Sequence, residues 1–154
     1  MQRHETDPEA LLEIFQKTLI QAGIKVTHQR LEIFKELCKT AGHPDAETIY
    51  KNIASKLPTI SLDTVYRTLQ LFAKLGLIDI FGTQYSRMRF DTNTKPHHHF
   101  ICTNCGTIYD FYSEELSNLN IPDAVRKIGE IQKIQLEIKG ICHQCANEAE
   151  STKT

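Results

Sequence analysis

The chain has 154 residues, 40% of them hydrophobic and 24% charged, with a formal net charge of −1. Such a composition belongs to a folded protein of one ordinary domain or two small ones, and its near-neutral balance gives no bulk support for nucleic-acid binding. No apolar run approaches the roughly 18 residues of a membrane span, and the opening Met1-Gln2-Arg3-His4-Glu5 lacks the apolar core of a secretory signal, which predicts a cytoplasmic protein.

The first half reads as four helices followed by a hairpin. Asp7-Pro8 supplies an N-cap and a proline at the first helical position, Gly23 ends the segment, and Leu11, Phe15, Leu19 and Ala22 share one face. Thr27 caps a second helix with Leu31, Phe34, Leu37 and Cys38 turned to a core. Asp45 caps a third, carrying Ile49, Ile53 and Leu57 and ending at Pro58. Ser61 caps a fourth with Val65, Leu69 and Phe72 inward and Gly76 behind it. Only Pro58-Thr59-Ile60-Ser61 joins the last two, the length of a helix-turn-helix connection. Two β-prone stretches, 77–81 and 88–91, flank a turn-rich segment at 82–86. Three helices and a hairpin form a winged helix-turn-helix, here with an extra helix in front.

Charge is uneven along this half. Lys51, Lys56, Arg67 and Lys74 face only Asp63 between residues 48 and 77, and Lys17, Lys25 and Arg30 stand among residues 17–31 without an acid. The pattern is either a basic face or an ordinary solvated surface. Tyr66 and Arg67 fall on the exposed side of the fourth helix, where a recognition helix would reach bases and phosphates.

Residues 92–96 are polar, end in proline and read as a linker between a domain at 1–91 and another at 97–145, with a disordered tail at 146–154. In the second domain, extended stretches at 100–102 and 107–111 bracket a cysteine pair. A helical stretch follows at 113–128, breakable near Pro122, and then an alternating, half-buried strand at 130–142 with Ile134, Leu136 and Ile138 on one side. The chain as a whole is expected to be α+β.

Two Cys-x-x-Cys pairs, Cys102/Cys105 and Cys142/Cys145, use four of the five cysteines. Four thiolates close a tetrahedral zinc shell, and Gly106 lets the first turn fold back. A unit of about 50 residues buries little core unaided, so a zinc staple is physically useful. Redox thiols or disulfides are the competing reading. His143 is either a substitute ligand or a turn residue, and Cys38 is a small core side chain.

The triplet His97-His98-His99 lies just ahead. In an extended segment His97 and His99 point one way and His98 the other, so two imidazoles can share a metal with nearby Asp91 and Asp110. A lone His-x-His is also a common surface feature, and His43, between Gly42 and Pro44, is by itself a loop histidine. Nothing points to catalysis: Gly-x-Ser-x-Gly, a phosphate-cradling glycine loop and His-Glu-x-x-His are absent, and His143/Cys145 is better assigned to zinc than to a nucleophile. No enzyme is expected.

Several strings in one order carry a resemblance. They are Gly23-Ile24-Lys25-Val26-Thr27-His28-Gln29-Arg30, Gly42-His43-Pro44-Asp45-Ala46, Ser61-Leu62-Asp63-Thr64-Val65-Tyr66-Arg67-Thr68-Leu69, Arg89-Phe90-Asp91, the run from His97 to Gly106, and the closing pair Cys142 and Cys145. Together they resemble the ferric uptake regulator superfamily of metal-dependent repressors, most of all its peroxide-responsive branch. That resemblance implies a winged-helix DNA-binding domain, a small C-terminal α/β dimerisation domain with the four-cysteine zinc site, a homodimer, and double-stranded operator DNA as partner, with no membrane. It also implies a regulatory Fe2+ or Mn2+ held by His43, Asp91, His97, His99 and Asp110, and DNA contacts from Lys25, Arg30, Thr64, Tyr66 and Arg67. In the peroxide branch, iron-driven oxidation attacks ligand histidines, at positions matching His43 and His97. Aspartate at 110, where iron-responsive members typically carry glutamate, points the same way. Pro96 and His98 replace residues of a second sensory site common in iron-responsive members, no cysteine beyond Cys38 is spare for a zinc sensor, and no Cys-Pro motif suggests haem. His28 stands where proline is usual. An iron-responsive or zinc-responsive repressor is the alternative within the superfamily; a zinc-binding interaction module or hydrolase is the alternative outside it.

Overall fold

The computed structural model describes residues 7–82 and 87–151. The chain divides into two compact units, meeting between Thr94 and Lys95.

The N-terminal unit comprises α1 (Pro8–Gln21), α2 (His28–Lys39), α3 (Ala46–Ile53), α4 (Leu62–Lys74), β1 (Asp79–Phe81) and β2 (Arg89–Asp91). All four expected caps form. Asp7 accepts from the Glu9 amide at 3.1 Å, Thr27 from Arg30 at 3.3 Å, Asp45 from Thr48 at 2.8 Å and Ser61 from Thr64 at 3.1 Å. Each satisfies an amide that the first helical turn leaves without a partner. The core gathers around three aromatic rings: Phe15 stacks on Phe34 at 4.4 Å, and Phe72 meets both edge-on at 5.3 and 5.8 Å. Around them close Leu19, Ile33, Ile49, Ile53, Val65 and Leu69, none of them reached by solvent.

Two details depart from the periodicity. In α2 Phe34 and Leu37 are buried as expected, but Ile33 is buried with them and Leu31 and Cys38 are only half-buried. The inward arc swings because Glu36, itself buried, faces α3 and accepts from Asn52 at 2.9 Å. And α3 stops at Ile53, whose carbonyl takes amides from both Lys56 and Leu57. The helical conformation is disfavoured for a residue preceding proline, so the chain leaves α3 before Pro58 while still burying Leu57.

The hairpin pairs β1 with β2 antiparallel, Ile80 opposite Phe90. The tip expected within 82–86 falls, at 83–86, outside the described residues. Arg87, beside it, bridges to Asp45 at 3.1 Å and Glu47 at 2.9 Å, tying the wing to the start of α3. Burial alone would raise the Asp45 carboxyl; the Thr48 hydroxyl and amide and the charges of Arg87 and Arg89 outweigh it and hold the group below its ordinary value.

The C-terminal unit is a three-stranded sheet in the order β4-β3-β5, from β3 (His98–Cys102), β4 (Ile108–Phe111) and β5 (Glu137–Gly140), with single-turn helices α5 (Glu114–Ser117) and α6 (Asp123–Arg126) and a closing α7 (His143–Ser151). β3 and β4 are antiparallel and β3 and β5 parallel. The helical stretch breaks as Pro122 foretold. The long half-buried strand does not form: only Glu137–Gly140 pairs, as the outer strand of the sheet, and Ile138 and Ile141 are 44% and 63% exposed. The tail assigned to disorder is helical through Ser151, since Ala- and Glu-rich residues propagate a helix that Cys142 and Cys145 anchor at its start. Among the described residues no helix is long and apolar enough to cross a membrane.

Candidate metal centres

Antiparallel pairing of β3 and β4 folds the first cysteine pair into a knuckle. The Cys102 amide donates to the Thr107 carbonyl and the Gly106 amide to the Cys102 carbonyl, both at 2.9 Å. Gly106 sits at φ +73°, a conformation a Cβ resists. β5 then delivers Cys142 alongside, and the first turn of α7 brings Cys145. The sulfurs of Cys102 and Cys145 are 3.9 Å apart, as are those of Cys105 and Cys142, and all four lie within 4.8 Å of one another. A tetrahedron with metal–sulfur bonds of about 2.3 Å has edges of about 3.8 Å. The four are free thiols, so this is zinc geometry and not a pair of disulfides. His143 is exposed and outside the shell.

The protonation chemistry asks for a cation. Amides of Cys105 and Cys142 hold the Cys102 thiol down to about 6. Cys145, although Asn104 lowers it, is pushed up to about 12 by Cys142, by burial and by the other two sulfurs. One sulfur therefore keeps its proton unless a metal balances the accumulated charge. Zinc fits this donor set.

A second donor group belongs to the same unit. His99 lies directly opposite Asp110 across β3 and β4. Strand alternation turns His97 to the same side, so that its Nε2 is 2.9 Å from Nε2 of His99, while Asp110 Oδ1 is 3.5 Å from His99 and 3.9 Å from His97. His97 Nδ1 donates to the Lys95 carbonyl at 2.7 Å, which leaves Nε2 as a lone pair aimed at the other two groups. With the His99 hydrogen on Nδ1, two lone pairs and a carboxylate oxygen would face one another at this spacing, an arrangement that a divalent cation among them stabilises. Two imidazoles and one carboxylate on one face suit iron or manganese. His98 points oppositely, as its place in the strand requires. Its Nδ1 accepts from the Leu136 amide at 3.3 Å and its Nε2 faces the Ser117 hydroxyl at 3.2 Å, a buried structural role.

The N-terminal unit holds a histidine–aspartate pair of its own. The loop carrying His43 is pinned to β2: the Phe90 amide donates to the Pro44 carbonyl at 3.0 Å and Arg89 to the His43 carbonyl at 3.1 Å. This sets His43 Nε2 3.3 Å from Asp91 Oδ2, with the imidazole edge-on to Phe81 at 5.0 Å. Asp91 is steadied through its other oxygen, which accepts from the Asn93 amide at 2.7 Å.

On α4, Arg67 is exposed and pairs with Asp63 at 2.9 Å, and Thr64 shares a 2.9 Å hydrogen bond with Ser61. Tyr66 departs from expectation. It is half-buried against the core, and its hydroxyl donates to Met88 Sδ at 3.0 Å. The wing folds Met88 onto a position that α4 alone leaves outward. Arg30 donates to the Lys25 carbonyl at 2.6 Å, holding the α1–α2 turn. Sequence reasoning missed Gln135, whose side-chain amide lies 3.4 Å from His99 Nδ1. No local signal marks it, because the contact joins residues far apart in the chain.

The ferric uptake regulator family model matches residues 21–139. The chain belongs to this family. It is therefore a metal-responsive transcriptional regulator and not an enzyme. It is 34% identical over 131 residues to the peroxide-responsive repressor PerR of Staphylococcus epidermidis, covering 85% of this chain and 87% of that one. It is 35% identical over 132 residues to the peroxide operon regulator of Bacillus subtilis, covering 86% and 91%. Among solved structures, the ferric uptake regulator of Helicobacter pylori superposes with a TM-score of 0.73 at 28% identity, over 95% of this chain and 97% of that one. That structure is described as revealing three functional metal-binding sites.

Proposed function

We propose that this ferric uptake regulator family member is a homodimeric, metal-dependent repressor that senses hydrogen peroxide through iron and works in the cytoplasm on operator DNA. The observation that carries the reading is the convergence of His97, His99 and Asp110, within 4 Å of one another and separate from the four-sulfur shell. His43 and Asp91 complete the ligand set. A metal that takes ligands from both units favours one arrangement of the DNA-binding unit, and metal loss or ligand damage releases it. Bound iron would supply the redox chemistry by which peroxide gives one oxygen to a ligand imidazole, at His43 or His97, its other oxygen leaving as water. Likeness to two peroxide regulators and the short carboxylate of Asp110 support this branch over an iron-responsive repressor.

The deciding experiment loads the protein with Fe(II), adds hydrogen peroxide and maps peptide masses. One oxygen gained at His43 or His97, together with loss of operator binding, is the expected result. Unmodified histidines with binding retained would instead identify an iron-responsive repressor.

For DNA, α4 enters the major groove, with Tyr66 and Thr64 near bases and Arg67, Arg30 and Lys25 near phosphates. Tyr66→Ala is expected to narrow the preference for operator over random DNA by about 1–3 kcal/mol. Tyr66→Phe, which keeps the ring and loses the hydroxyl bonded to Met88, separates ring contact with a base from what the hydroxyl does. An unchanged preference in the alanine variant would take Tyr66 off the reading surface.

A further inference from the structure

We infer that Gln135 is a positioning residue for the regulatory metal: its side-chain amide orients the His99 imidazole so that Nε2 presents its lone pair to the cation. This deepens the ligand assignment proposed above and rests on it.

The three histidines are oriented by different means. His97 is fixed by a main-chain carbonyl, that of Lys95. His98 is held between Ser117 and the Leu136 amide. His99 has Gln135, whose side-chain amide nitrogen lies 3.4 Å from Nδ1. With Nε2 given to a metal, Nδ1 carries the hydrogen, and the Gln135 amide turns its oxygen to accept it. A half-turn about the last side-chain bond exchanges oxygen and nitrogen within the same footprint.

Gln135 is itself held in place by the strand it serves. The His99 amide donates to the Leu136 carbonyl at 3.0 Å, and the Leu136 amide donates back to the His98 ring. These bonds clamp residues 135–136 against β3 just ahead of β5, in register with the histidines. The Gln135 backbone therefore cannot drift from His99 without opening the β3–β5 pairing. An outer partner placed so firmly does what metal sites need: it selects one tautomer, restrains ring rotation and raises the basicity of the coordinating nitrogen. A leucine at 135 would fill similar space and accept nothing.

The test uses full-length, zinc-loaded protein and Mn(II) alone as probe, with affinity read by the electron paramagnetic resonance of free ion. Gln135→Leu is expected to weaken Mn(II) binding about 10–100-fold, with zinc content and melting temperature unchanged. Gln135→Glu, which accepts more strongly, should restore or exceed the parent affinity. That rescue is the readout a packing role would not give. Equal Mn(II) affinity in the parent and the leucine variant overturns the inference, as does equal weakening in the leucine and glutamate variants. If the parent binds Mn(II) no better than His97→Ala does, the ligand assignment itself fails, a result distinct from either.

Discussion

Cys142→Ser is expected to strip zinc from the protein and unfold residues 95–151 while the helices and hairpin strands of the N-terminal unit keep their structure. The two units differ sharply in what holds them. The N-terminal one buries an aromatic trio within a shell of leucine, isoleucine and valine. In the C-terminal one, the clustered buried apolar residues are Cys102, Cys142 and Cys145, with Phe100 and Tyr109 packed partly against them. Its larger aliphatic side chains lie largely outward, Ile128 and Ile141 foremost. Three small sulfur-bearing side chains and two half-covered rings cannot offset the conformational entropy of ordering more than fifty residues, at about 1–2 kcal/mol each for the backbone alone.

A structural zinc supplies about 10–16 kcal/mol at neutral pH, enough to decide whether such a unit folds. Cys142 is the most telling position because it joins the ends of the unit: its amide donates to Cys102 Sγ at 3.3 Å, and its sulfur faces Cys105. Zinc content by atomic absorption should fall to none, and amide spectra should lose dispersion for the C-terminal residues alone. Well-dispersed signals from residues 95–151 without zinc would show that the sheet stands unaided.

How much of this was legible in the sequence depended on the range of the interaction. Asp7, Thr27, Asp45 and Ser61 cap helices through bonds spanning two or three residues, and all four could be read from the chain. The same holds for the opposed directions of His98 and His99, which follow from the pleat. Tyr66 defeated the helical pattern because Met88, from another element, closes over it. The alternation at 130–142 promised a strand half-covered by core, yet only its last residues pair, on the outer strand of the sheet, and Ile138 is 44% exposed. The helix beyond Cys145 was hidden because charged, small residues near an end resemble a frayed tail until an anchored first turn is known. Gln135 left no sequence signal: only the parallel pairing of β5 with β3 makes it a neighbour of His99.

His97→Ala is expected to lower Mn(II) affinity by more than about 100-fold, beyond the loss of an outer partner, and to abolish metal-stimulated operator binding while the zinc remains. His97 is the group of the three that is most fully preset, its Nδ1 bound at 2.7 Å to a carbonyl that can only accept. Removing it leaves His99 and Asp110 facing each other at 3.5 Å with one side of the site open. The four sulfurs belong to the other end of β3 and keep their own shell, so zinc content serves as the control for folding. Metal gives operator affinity only through its preference for one arrangement of the chain, and couplings of that kind are worth about 1–3 kcal/mol, or 5- to 150-fold. The variant should therefore bind operator at the level of the metal-free parent, with or without added Mn(II). Asp110→Asn, which keeps the shape and removes the charge, should fall between the two. A His97→Ala protein that still gained operator affinity on adding Mn(II) would place the sensing metal elsewhere.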